Sequence, residues 1–136
     1  IQAYSESHFL TLQHALTRGA AVQEQLQFQL EQAYGGEQAK LMMEMLRGYN
    51  NRQLASGSAQ LLVRHLEHPN LELRTLAIEN LYQITGARSD FRPADNISSR
   101  SRAVRSWNKR LAAGKVKYDP PTELERRLKH AAEQLP

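Results

Sequence analysis

The side chains that could do chemistry are few and scattered. His65 and His68 stand three apart, a spacing that puts two imidazoles on one helix face, as a metal ion would require. No third ligand follows at a matching interval, and Pro69 breaks the helix at that end, so surface or partly buried histidines are the expectation. His8 and His14 lack even that spacing. Asp90, Asp95 and Asn96 could gather round a calcium ion, but their intervals do not fit an EF-hand loop. Turn-forming and helix-capping roles suit them better. Ser56-Gly57-Ser58 has no base at a predictable distance and reads as a turn or cap. G-x-S-x-G, H-E-x-x-H, G-x-x-x-x-G-K-[ST] and G-x-G-x-x-G are all absent. There is no cysteine, which excludes disulfides, thiol catalysis and Cys-ligated metals. The expectation is a non-enzyme with no catalytic, cofactor or metal site.

The coherent chemical pattern is basic. The net charge of +4 hides a split along the 136 residues. Residues 1–85 carry six Lys/Arg and eight Asp/Glu, whereas residues 86–136 carry twelve and six. Between Ile97 and Lys117 lie Arg100, Arg102, Arg105, Lys109, Arg110, Lys115 and Lys117, with no acid among them. On a helical wheel Arg102, Arg105 and Lys109 fall within ~60°, opposite Val104, Trp107 and Leu111. A stripe of this kind meets phosphates, anionic lipid or an acidic protein face, or is a solvated face paired with acidic helices elsewhere in a parent chain. Nucleic-acid binding usually adds exposed stacking aromatics, and the nearby Trp107 is expected in the core. Membrane docking would need the apolar face free. A protein partner or neighbouring domain is therefore the first expectation. Nucleic acid, held by Arg102, Arg105, Lys109 and Arg110, is the second.

Those side chains need helices to carry them. Hydrophobic residues make up 40% of the chain, and Leu recurs almost throughout, which argues against disorder. No apolar run approaches the ~18 residues of a membrane span. Strict alternation is missing, so the class is all-α, a single domain over residues 1–136 with about seven helices. Ser5 is an N-cap candidate, with Phe9, Leu12 and Leu16 behind it, and Gly19 ends that helix. The second runs over about Ala20–Tyr34, with Val22, Leu26, Leu30 and Ala33 on one face, and Gly35-Gly36 stops it. The third, about Glu37–Arg47, carries Leu41, Met42, Met45 and Leu46. Its methionines read as core packing ahead of an adaptable binding surface. The fourth starts near Asn51 or Ser56 and ends at His68, and the fifth starts at Pro69 or Asn70 and ends at Thr85-Gly86. Residues 86–97 form a polar loop. A basic sixth helix occupies 98–113, capped by Asn96 or Ser98. Thr122-x-x-Glu125 opens a seventh over 122–135, with Leu124, Leu128, Ala131 and Leu135 on one stripe.

The fifth helix is the structural key. Glu72, Thr75, Glu79 and Gln83 occupy a narrow polar arc of roughly 80°, and apolar residues cover most of the rest. Such a helix must be covered on more than one side, by helices before and after it. Arg74 falls inside the apolar arc, so it must pair, hydrogen-bond or reach an edge.

Residues 57–86 contain a Leu-rich helix closing at Pro69, then Leu73-Arg74 with Ala77 and Leu81 following. This pair resembles a HEAT repeat of the armadillo-type helical superfamily. The resemblance implies a right-handed helical stack whose ridges suit protein contacts. In that family the Arg commonly meets an Asp of a neighbouring turn, and here His68 stands where such an Asp precedes the Pro. Thr85-Gly86, Phe91-x-Pro93, Arg102, Val104 and Trp107 resemble a tail that follows HEAT-like helices in bacterial multidomain proteins, which implies no activity. Phe91 and Trp107 are expected to pin the loop and the sixth helix to the core. The chain opens at Ile1 without Met or a signal-peptide pattern, so it is expected to be part of a larger bacterial protein, as an interaction or scaffolding module.

Overall fold

Gly19, Gly35 and Gly48 cut the first half of the chain into three helices, each glycine at a positive φ at a helix boundary. In a computed structural model that describes residues 2–118, with side chains from Phe9 onward, these are α1 (Gln2–Leu16), α2 (Ala20–Tyr34) and α3 (Gly36–Arg47). α1 reaches back past Ser5, which therefore lies inside the helix and is not its cap. No breaker stands between Gln2 and Ser5 to stop it sooner. Phe9 and Leu16 of α1 and Met42, Met43, Met45 and Leu46 of α3 are buried. α2 has no buried residue. Leu26, Leu30 and Tyr34 lie half-buried against the core, Val22 is half-buried too, and Ala33 of the expected apolar face is exposed.

α4 begins where Asn50 closes a capping box with Gln53. The Asn50 side chain accepts from Gln53 N at 2.9 Å, and Gln53 Oε1 accepts from Asn50 N at 2.9 Å. It runs as Asn51–Gln53, a π-turn over Leu54–Ser58, and Ala59–His65. The π-turn turns on Gly57, at φ 124°. The expected end at His68 is three residues late. Leu66, Glu67 and His68 donate to the carbonyls of Val63, Arg64 and His65, so the last turn tightens to i→i−3 bonds ahead of Pro69.

α5 (Leu71–Thr85) is capped by Asn70, whose Oδ1 accepts from Leu73 N at 3.2 Å, and ends at Gly86 in the left-handed region. It touches α1, α3 and α4. Its burial goes further than the wheel predicts, because Thr75 and Glu79 of the polar arc are also buried, and only Gln83 is exposed. Thr75 Oγ1 returns its proton to Leu71 O at 2.9 Å, which lets the hydroxyl sit inside. Asn80 is sealed within the core, and its Nδ2 donates to Met45 O and Leu76 O, both at 2.9 Å, stitching α3 to α5. At the exposed edge Gln83 and Gln13 exchange amide hydrogen bonds, at 3.0 and 3.3 Å, between α5 and α1.

α6 (Ile97–Ala112) is capped by Asn96, and its main helix contact is with α4. The cover on the far side of α5 is therefore supplied largely by the 86–96 loop, not by a following helix. All elements among the described residues are helical. The seventh helix expected over 122–135 lies outside the described residues.

Candidate functional site

The basic helix is positioned by one face. Ala103, Val104 and Trp107 of α6 are buried, and Trp107 is fully enclosed (0% exposed). The opposite face holds Arg102, Arg105 and Lys109, all exposed. None of the three is ion-paired among the described residues. Arg110 sits at the edge, half-buried, with its guanidinium 5.4 Å from the Trp107 ring centroid, at cation–π distance. Arg100 is not part of the stripe, because its Nε donates to Asp95 O at 2.9 Å.

The 86–96 loop is held at three points. Trp107 Nε1 donates to Arg88 O at 3.0 Å, and Phe91 N donates to the same carbonyl at 3.0 Å. The second bond closes a turn whose central residues, Ser89 (φ 50°) and Asp90 (φ 63°), carry the two positive φ values of a type I′ turn. Neither is glycine, so the backbone is held in a conformation it disfavours. The Arg88 side chain lies over the Tyr82 ring at 3.8 Å, and its Nη2 reaches both Glu79 oxygens at 3.2 Å. This pairing is what admits Glu79 to the interior. Phe91 is buried against the same core (1% exposed).

Arg74 satisfies its charge without a carboxylate. Its Nη1 donates to His68 O at 2.8 Å and Pro69 O at 2.9 Å, and its Nε to Pro93 O at 3.0 Å. The guanidinium thus clips the α4–α5 turn to the loop. Burial and the nearby Arg100 lower its pKa from the ordinary value.

Between the turn and α6 opens a polar groove of about 490 Å³. Its walls are Ser89, Asp90, Arg92 and Asp95 from the loop and Ser99, Arg102, Ser106 and Arg110 from α6, over a floor at Ala103. A second groove, apolar and about 320 Å³, lies between α2 and the body of the domain, where Phe9, Leu12, Leu26, Leu30 and Met42 meet.

A scan against protein-family models, a search of curated proteins and a search of solved structures each return no match.

Of the chemical candidates, His65 and His68 do come together, their ring centroids 5.7 Å apart. His68 Nδ1 is occupied as an acceptor from Asn70 N at 3.0 Å. His65 Nε2 is buried with no hydrogen-bond partner, and burial lowers its pKa, with His68 and Arg64 adding to the shift. Among the described residues no three His, Asp or Glu side chains gather as a metal site. Ser56 Oγ donates to Arg52 O at 2.9 Å inside the π-turn. Asn96 is the α6 cap and accepts from Ser99 N at 2.9 Å. The methionines lie in the core, and Met42 also lines the apolar groove. The groove beside α6 and the Arg88–Glu79 clamp have no counterpart in the helical wheel. A serine and an aspartate placed between Arg88 and Phe91 carry no turn signature as strong as Asn-Gly, so the turn that builds the groove is not legible from residue types.

Proposed function

We propose that this domain is a non-catalytic protein-interaction module of a larger bacterial protein, and that its partner docks on the outer face of α6. The observation that carries the reading is the split of α6. One face is locked into the core by Trp107, while Arg102, Arg105 and Lys109 stand exposed and without ion pairs among the described residues. A basic row on a rigidly seated helix is a preformed surface for an anionic partner and needs no rearrangement to bind. The contacts of α3 with α5, of α4 with α6 and of α4 with α5 support a HEAT-like layering, with α1 also reaching α5. Stacked helix pairs of that kind commonly expose ridges for protein contacts, an argument by analogy of fold. The chain shows no helix long and apolar enough to cross a membrane among its described residues.

Nucleic acid is the second reading, favoured by the same unpaired cations. Affinity capture on the immobilised chain, with and without nuclease, separates the two. A protein that stays bound after nuclease treatment and is lost with Arg102→Glu/Arg105→Glu/Lys109→Glu is the expected result. Capture that nuclease abolishes, with retention falling steeply as salt rises, would transfer the stripe to nucleic acid.

A further inference from the structure

We propose that the groove between the Arg88–Phe91 turn and α6 is a recognition site for an acidic peptide segment, whose carboxylate or phosphoryl side chain seats among Arg92, Arg102 and Arg110. This rests on the interaction-module reading and gives it a pocket and a ligand class.

Ser99, Arg102, Ala103, Ser106 and Arg110 follow one another down one side of α6 at helical spacing, and Arg92 faces them from the loop. Guanidinium groups match planar carboxylate and tetrahedral phosphate oxygens with paired N–H donors. Ser89, Ser99 and Ser106 add hydroxyls that donate or accept. Ala103 at the floor leaves room for a side chain to enter.

The walls are fixed before any ligand arrives. Arg88 O accepts from both Phe91 N and Trp107 Nε1, so the turn is anchored to an enclosed indole. Arg110 lies at cation–π distance from that indole. Ser89 and Asp90 keep positive φ values, a strain that persists only where the surroundings impose it.

The groove also says what it does not suit. Asp90 and Asp95 share its walls, and neither is ion-paired to the three arginines among the described residues. Two free carboxylates repel a continuous run of phosphates but accept the N–H groups of a peptide backbone. Arg105 and Lys109, which a nucleic-acid strand would be expected to use, are not among the groove's lining residues.

The test uses the full chain and labelled peptides of one short sequence carrying Glu, phosphoserine or Gln at the centre, together with a labelled single-stranded oligonucleotide. NMR titration is expected to move the amides of Ser89, Ser99 and Ser106 with the Glu or phosphoserine peptide and not with the Gln peptide. Whichever of the two binds tighter identifies carboxylate or phosphoryl as the source of the anion. Arg92→Glu/Arg102→Glu should weaken binding by about tenfold or more, since charge-assisted hydrogen bonds are lost and repulsion is added. Lys40→Glu/Arg47→Glu, two exposed cations on α3 outside the groove and the α6 stripe, should change it by no more than about twofold. All four positions are at the surface, and matched thermal unfolding of the variants checks that folding is unaffected. Equal binding of the Gln peptide, silent groove amides with both acidic peptides, or an oligonucleotide that binds more tightly and depends on Arg105 and Lys109 would each overturn the proposal. A nuclease-resistant protein partner that Arg92→Glu/Arg102→Glu still captures would overturn the groove while leaving the module reading in place.

Discussion

Three side chains show how this chain handles polarity inside a small helical core. Asn80 and Arg74 are satisfied by backbone carbonyls, and Glu79 by Arg88. His65 is the contrasting case, because its buried Nε2 has no partner. Protonation would bury a charge beside His68 and Arg64, so the folded protein holds the imidazole neutral and its pKa below the ordinary 6.5. The sign of the linkage follows. As pH falls through about 6.5, His65 of the unfolded chain takes up a proton before the folded chain does. Stability is therefore lost from that point down to the lowered folded-state pKa, and levels off below it. Denaturant titrations between about pH 8 and about pH 5 should show wild type losing more stability than His65→Leu across this range. Parallel pH profiles for the two proteins would show that the buried imidazole is not the source.

At the scale of elements, boundaries follow glycine and asparagine chemistry closely. Asn50, Asn70 and Asn96 each cap a helix, and the helix limits at Leu71, Thr85 and Arg47 sit where Asn and Gly place them. What residue types do not disclose is the π-turn in α4. Gly57 inside a helical pattern reads as an uncertain start, whereas the structure uses it to widen a continuous helix. Nor do residue types disclose how deeply α5 is sunk. Thr75 and Glu79 look like a solvent stripe until Arg88, nine residues on from Glu79, folds back over it. The candidate site was half legible. The stripe of Arg102, Arg105 and Lys109 follows from helical spacing, but Arg92 and the serines reach it only through a loop turn. Gly57 also permits a clean test of backbone conformation. A Cβ there meets no atom within 4 Å, so Gly57→Ala is opposed by φ +124° alone. The expected loss is roughly 1–2 kcal/mol. Gly36, in the first turn of α3, has equally open space and no such φ. Gly36→Ala should instead be neutral or stabilise by about 0.4–1 kcal/mol, by restricting the unfolded chain. Urea unfolding of both variants checks the pair. A π-turn that tolerates alanine at Gly57 without loss would mean that the turn re-forms as regular α-helix.

Across the whole molecule, burial is uneven in a way that predicts where it opens first. α5 touches three helices, and nine of its residues are buried. Among the described residues α2 has none buried, packs chiefly on α1 and α3, and leaves an apolar groove of about 320 Å³ between itself and the body. Its polar face is dominated by glutamines, and Phe28 lies 61% exposed. Local opening free energy tracks the apolar surface an element would expose, so detaching α2 costs far less than unfolding α5. Amide hydrogen exchange should therefore sort the helices into two classes. The amides of α5, and those of α4 from Ala59 to His65, are expected to exchange only through global unfolding, with denaturant-dependent protection. The amides of α2 should exchange through a sub-global opening that depends weakly on denaturant. Widening the existing gap offers a second readout. Leu30→Ala, at the half-buried contact of α2, removes packing that is lost in both the α2-open and the unfolded state. It should therefore lower the protection of α2 and of α5 by the same amount, roughly 1–2 kcal/mol, with α2 still the faster to exchange. Equal protection in α2 and α5 would show that α2 (Ala20–Tyr34) moves as one unit with the core, and that the groove beneath it is too shallow to act as a plane of separation.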